Sequence, residues 1–312
     1  MTVKEAGLVE GRPPVHQDRS GRRVSWPNRS ATRRGLRSGR ILSSTLIYAG
    51  CIAVAAIAIG PFVWMLSSSF KDPTDVISLT PQLIPHPFTV ENYTYLVNNG
   101  ILPFVRFLGN SGYITILVII GRLFVCALGA YGFSRLRFRG RDAAFAMLLA
   151  SLMIPDMLMV LPLYSAYVKT GLFNTHFPLI VPPIVANTFG TFLLRQFFLT
   201  IPKEYDEAAL VDGASHFRIF FQIILPLSKP ALATLGVLTF VNVWNDFFGP
   251  LIYLNDVDKF TIPVGLAFFQ TNDSTQYGPL MAGATLAIIP TVAVFVFAQK
   301  YFTRGISMTG IK

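Results

Sequence analysis

Six stretches of this chain run for about 20 residues or more with almost no charge, near 41–66, 109–133, 143–168, 177–198, 229–254 and 281–302. A helix needs about that length to cross a hydrocarbon core. A span in hydrocarbon finds no water, so its backbone groups must bond within the segment. The expectation is an all-α membrane protein with six transmembrane helices over residues 41–312. Only 13% of the residues are charged, about half the share of a soluble domain.

The distribution of Lys and Arg predicts the orientation, because cytoplasmic segments next to spans are enriched in both. Residues 1–40 hold ten basic and three acidic residues, +7 of the net +10. With both termini inside, cytoplasmic segments hold 21 Lys and Arg, including Arg135, Arg137, Arg139, Arg141, Arg195, Lys203 and Arg218. External segments hold four, Lys71, Arg106, Lys169 and Lys259, and Arg122 falls within a span. An N-in, C-in topology follows. The tail, residues 1–40, is polar and has no apolar period, so it is expected to be disordered. It reads as a segment that sets topology and meets anionic lipid, or as one that binds a specific partner. Nucleic acid is excluded as a partner, since the tail has no interleaved aromatics and no folded scaffold.

Cys51 and Cys126 both lie in apolar spans and read as packing residues. His16, His86, His176 and His216 are scattered, with no second ligand at metal spacing. The dipeptide Gly-Lys does not occur, so the chain has no phosphate-binding loop and is not itself an ATPase. No cofactor, metal site or catalytic constellation is expected.

One polar segment interrupts the apolar pattern, residues 199–228. Pro202 suits a first helical position. Glu204, Asp206 and Glu207 put negative charge in a first turn, where the helix dipole favours it. Gly213 stands where a left-handed cap is expected. Ser215 can cap a second helix carrying Phe217, Phe220, Phe221 and Ile224. The result is a helix–turn–helix elbow at the membrane surface. Its bland reading is an amphipathic interfacial loop with no partner.

The elbow's Glu207-Ala208-Ala209, Gly213 four residues on, and Ile223-Ile224-Leu225-Pro226 resemble the cytoplasmic loop of ABC-importer permeases. Residues 41–312 as a whole resemble the carbohydrate class, and most of all the second membrane subunit of maltose-type importers. The motifs run in order: Thr89-Val90-Glu91-Asn92-Tyr93, Asn110-Ser111, Ala130 through Gly140, Met153-Ile154-Pro155, Leu161-Pro162-Leu163-Tyr164, Val243-Trp244-Asn245-Asp246-Phe247, Arg304-Gly305 and Gly310-Ile311-Lys312. Asp246 stands where that pattern more often has Glu. The resemblance implies a sugar-importer subunit in the inner membrane of a prokaryote. Its partners would be a sister permease, two ATPase subunits and an extracytoplasmic sugar-binding protein. Glu204, Glu207, Ala208, Ala209, Asp212 and Gly213 would form the ATPase-coupling surface. Small Ala208 and Ala209 would allow close approach, and Glu207 and Asp212 would meet basic groups. A non-sugar solute such as glycerol phosphate or an amino acid is the alternative. A secondary transporter would not need the elbow.

Polar groups inside spans are costly and are candidates for the solute pathway. The fifth span offers Asn242, Trp244, Asn245 and Asp246: an indole for a sugar face, amides and a carboxylate for hydroxyls. Helix-to-helix hydrogen bonding is the competing use. In the third span, Pro155 and Pro162 mark a broken helix that is either a gate or a kink. The external loop 67–108, with Pro73, Pro81, Pro85, Pro87, Pro103, Asn92 and Tyr93, either receives an external partner or caps its own bundle. Arg122 and Asp156 stand at matching depths and are expected to pair, unless each faces water or Pro155 turns Asp156 away.

Overall fold

The computed structural model describes residues 29–72, 75–76, 82–270 and 276–307, with side chains from residue 44 to residue 299 of these. Among the described residues there are helices and turns and no strand. Four helical segments are long and apolar enough to cross a membrane: Ser44–Ser68, Phe104–Arg135, Phe177–Thr200 and Tyr277–Gln299. Two bent pairs raise the number to as many as six. Arg141–Met153 and Asp156–Lys169 meet at 92°, and His216–Leu227 and Lys229–Trp244 at 76°.

The chain divides into two units, residues 1–61 and 62–312. Helix α1 (Arg29–Ser68) begins in the first. Its first residues correct one expectation, since 29–40 are helical; residues 1–28 lie outside the described residues. Leu46, Ile47, Ile52, Val54 and Ile57 of α1 are exposed, as suits a helix whose surroundings are lipid.

The second unit is organised by α3 (Phe104–Arg135), 32 residues without a proline. Helices α6 (Phe177–Val185), α7 (Thr188–Thr200), α11 (Lys229–Trp244) and α13 (Ile262–Ala267) pack on it. Small residues permit the approach. At Gly265 a Cβ would stand 2.1 Å from Cδ2 of Phe107, so no larger residue fits without displacing a ring. One core cluster gathers Phe104, Phe107, Val118, Phe240, Trp244 and Ile262 around the first half of α3. The other gathers Cys126, Ala130, Tyr131, Leu194, Phe198, Ile219, Phe220 and Ile224 around its second half.

Several span boundaries differ from expectation. The segment near 177–198 is interrupted at Ala186 and Asn187, between α6 and α7; Asn187 caps α7 by accepting from the N–H of Gly190. The fifth span ends at Trp244, and a separate short helix α12 (Phe248–Tyr253) follows. In the third span the break falls at Pro155, before α5 (Asp156–Lys169), whereas Pro162 is carried inside that helix. Proline lacks an N–H and disfavours a helical residue before it, and Ile154 is extended.

The loop over 67–108 is turned inward at two residues. Asn92, on α2 (Glu91–Asn98), donates to the carbonyls of Ser69 and Lys71 at 3.0 and 2.8 Å. The hydroxyls of Tyr93 and Ser69 lie 2.7 Å apart. At these two residues the loop caps its own bundle. Pro73 and Pro81, like Gly310-Ile311-Lys312, lie outside the described residues.

Candidate functional site

The polar segment forms the elbow. Helix α8 (Glu204–Val211) is followed by a turn and then α9 (His216–Ile219). Lys203 is the N-cap and Glu204 the first helical residue, so Pro202 stands outside the helix, not at its first position. The three acids still occupy the first turn. At the other end Gly213 has φ +78°. Its N–H donates to Leu210 O at 3.0 Å, and the N–H of Ala214 donates to Ala209 O at 2.9 Å. These two bonds make a Schellman cap, which needs a left-handed residue at that point. Ser215 caps α9 by accepting from the N–H of Arg218.

Glu204, Glu207, Ala208, Val211 and Asp212 are exposed, Val211 to 88%. Ala209 instead packs with Ala214 against the second core cluster, so of the two alanines only Ala208 is open to a partner. Asp206 also points inward. Its Oδ2 lies 3.3 Å from Nε of Arg135, with side chains 15% and 4% exposed. Arg135 also donates through Nη2 to the carbonyls of Phe198 and Ile201, at 2.9 and 2.8 Å. Burial pushes the Asp206 carboxyl above its ordinary range; Arg135 and His216 oppose the shift, Glu207 adds to it and Lys203 reduces it. A cleft of about 570 Å³ opens here, lined by Tyr131, Arg135, Arg141, Lys203, Glu207 and His216 among others. Sequence reasoning counted Arg135 only as a mark of the cytoplasmic side. Its contacts span more than 60 residues of chain, and no local pattern encodes them.

A second polar place lies inside the bundle, a cavity of about 160 Å³ lined by Arg122, Pro183, Asn242, Asp246 and Thr261 among others. Arg122 corrects an expectation. Its Nε donates to Pro183 O at 2.8 Å, and no ion pair joins it to Asp156 among the described residues. The 92° bend beside Pro155 carries Asp156 onto a different course, exposed at the start of α5. A charge is tolerated at Arg122 because it bonds a carbonyl near the C-terminal, negative end of α6. Asp246 accepts from the N–H of Gly249 at 3.1 Å. Oγ1 of Thr261 is buried and has no hydrogen bond.

The remaining pathway candidates separate. The Trp244 indole is buried, stacked on Phe240 at 5.5 Å, and its Nε1 donates to Ala287 O at 3.0 Å. It holds α11 to α14 (Tyr277–Ser307) and presents no open face for a sugar. Asn245 bonds back to Val241 O within its own helix at 2.8 Å. Asn242 and Asp246 stay with the cavity, while Pro155 sits exposed at the bend.

Residues 124–308, more than half of the chain, match the model of the family described as the binding-protein-dependent transport system inner membrane component. The chain belongs to that family. It is accordingly a multi-pass membrane protein of the prokaryotic inner membrane, and the match takes in both the elbow and the cavity face of α11. Among its relatives, the arabinooligosaccharides transport system permease protein of Halalkalibacterium halodurans is 36% identical, over 86% of this chain and 96% of that one. The trehalose/maltose transport system permease protein of Thermococcus litoralis is 34% identical over 87% and 98%. The sn-glycerol-3-phosphate transport system permease protein of Rhizobium meliloti is 36% identical over 81% and 92%. A crystal structure of a bacterial ABC transporter that imports the acidic polysaccharide alginate has the same fold, with a TM-score of 0.70 at 24% identity, covering 89% of this chain and all of that one.

Proposed function

We propose that this chain is the permease subunit of an ATP-driven importer that carries a sugar into the cell. The observation behind the reading is the elbow: a short helix with an outward row of Glu204, Glu207, Ala208, Val211 and Asp212, held to the bundle from behind. A helix that leaves six of its eight residues exposed is suited to be covered by another chain. Relatives that carry arabinooligosaccharides and trehalose or maltose favour a sugar; the glycerol phosphate relative makes a phosphorylated polyol the second reading. Six spans with both termini in the cytoplasm, counting each bent pair as one, put the elbow on the cytoplasmic side. The 21-to-4 distribution of Lys and Arg supports that orientation. The assembly would be this permease, a sister permease, two ATPase subunits that hydrolyse the ATP, and an extracytoplasmic binding protein. Solute would pass between the two permeases, beside the cavity of Arg122, Asn242 and Asp246.

The test is charge reversal. Glu207→Lys should leave the permease folded and inserted while the ATPase subunit is no longer captured, because removing an interfacial charge whose partner stays buried costs about 2–5 kcal/mol. Capture and uptake at the parent level with Glu207 and Asp212 both reversed would refute the docking surface.

A further inference from the structure

The elbow is joined to the membrane helices in two ways. The covalent route runs from α9 through one π-turn at Phe220–Ile224 and a three-residue helix α10 (Leu225–Leu227) to a 76° break before α11. Pro226 has no N–H to continue the ladder, and Ser228 at the break keeps a buried Oγ without a hydrogen bond. Ile219, Phe220 and Ile224 of this stretch are buried in the second core cluster, so it is packed against the bundle. The second route is non-covalent. The last turns of α3 hold both arms of the elbow: Arg135 takes Asp206 of α8, and the Tyr131 hydroxyl donates to His216 O of α9 at 3.2 Å. The Tyr131 ring lies 5.2 Å from that of Phe220. Arg135 adds its two bonds to carbonyls at the end of α7, and Arg195 of α7 donates to Phe133 O of α3 at 3.2 Å.

From Arg135, α3 continues without proline to Arg122, about 20 Å away at the helical rise. Arg122 lines the cavity that faces Asn242 and Asp246. We infer that Arg135 and Asp206 are the positioning pair through which displacement of the elbow enters the membrane, with α3 as the rod. Two charges held in so little solvent, with neither Arg135 Nε nor Asp206 Oδ1 making a hydrogen bond, are a weak source of stability. They do hold one geometry between two helices that share little apolar contact. The inference rests on the reading of the elbow as an ATPase-docking surface.

The experiment uses the complete importer in lipid nanodiscs with Cys51→Ser and a reporter thiol, Asn242→Cys, in the cavity. Reaction of that thiol with a water-soluble maleimide is followed with and without a non-hydrolysable ATP analogue and Mg²⁺. In the parent the nucleotide should change the rate about tenfold, the size of an ordinary coupling between sites. In Asp206→Asn the ATPase should be captured as before while the nucleotide effect disappears, and Asp206→Glu should restore it. If Asp206→Asn does not insert, Tyr131→Phe, which removes one hydroxyl and no charge, should lower the effect by itself. A nucleotide effect that survives both changes, or a parent whose cavity does not respond although the ATPase is bound, would overturn the inference. Failure of the unaltered permease to capture any ATPase would instead overturn the docking reading.

Discussion

Gly213 offers the sharpest test of the elbow, because its cost can be assigned to one cause. A Cβ placed there has nothing within 4 Å, so Gly213→Ala meets no neighbour. What it meets is its own backbone, at φ +78°. A left-handed conformation costs an L-residue about 1–2 kcal/mol. The chain can avoid that only by giving up the cap, and with it the two bonds to Leu210 and Ala209, at a net of about 0.5–1.5 kcal/mol each. Both routes cost about the same, so the formed elbow should lose about 1–2 kcal/mol, roughly five- to thirtyfold in population. Helix α8 has eight residues, six of them exposed, and so short a helix is marginal by itself. The loss should therefore pass directly into binding. Titrating the ATPase subunit onto the permease in nanodiscs should show Kd raised about tenfold for Gly213→Ala and much less for Gly213→Asn, since Asn tolerates the left-handed region. Equal Kd for Gly and Ala, or a larger loss for Asn than for Ala, would refute the argument.

The other predictions follow from the same contacts. Gly265→Ala should lower thermal stability in detergent by about 1–3 kcal/mol, because the new methyl must displace the buried Phe107 ring; an unchanged melting curve would mean that the helix shifts freely. The exchange Arg122→Asp with Asp156→Arg should express no better than the worse single change, since Arg122 bonds Pro183 O and not Asp156; recovery would reinstate that pair. Burial dominates the upward shift of the Asp206 carboxyl, so folding favours its protonated form. The contribution it makes to stability is present below the ordinary carboxylate range and is lost as pH rises through the raised value. Asp206→Asn should therefore hold or raise the melting temperature at neutral pH and flatten its slope on acidification. A clear drop at pH 7 would mean that the bond to Arg135 outweighs the burial.

Much of this protein is set by patterns that act over one or two helical turns. Apolar length makes spans, because backbone groups in lipid must bond within their own segment. A Gly one residue past the C-cap of a short helix makes a left-handed turn, and Gly213 takes that form. Pro155 breaks its helix because proline constrains the residue before it. Local chemistry does not tell the two prolines apart: Pro162 is borne inside α5 while Pro155 ends the preceding segment. The tertiary structure alone decided which charges meet. Arg122 and Asp156 stand at matched depth in the sequence, yet a 92° bend precedes Asp156 and Arg122 bonds a carbonyl of α6 instead. Trp244 has the composition of a sugar platform and the position of a core residue. Arg135 looks like one more cytoplasmic arginine until the fold brings Asp206, Phe198 and Ile201 to it across more than 60 residues. Depth and propensity are properties of a segment and can be read along the chain. The direction a side chain faces depends on how segments bend and pack, and that exists only once the bundle has formed.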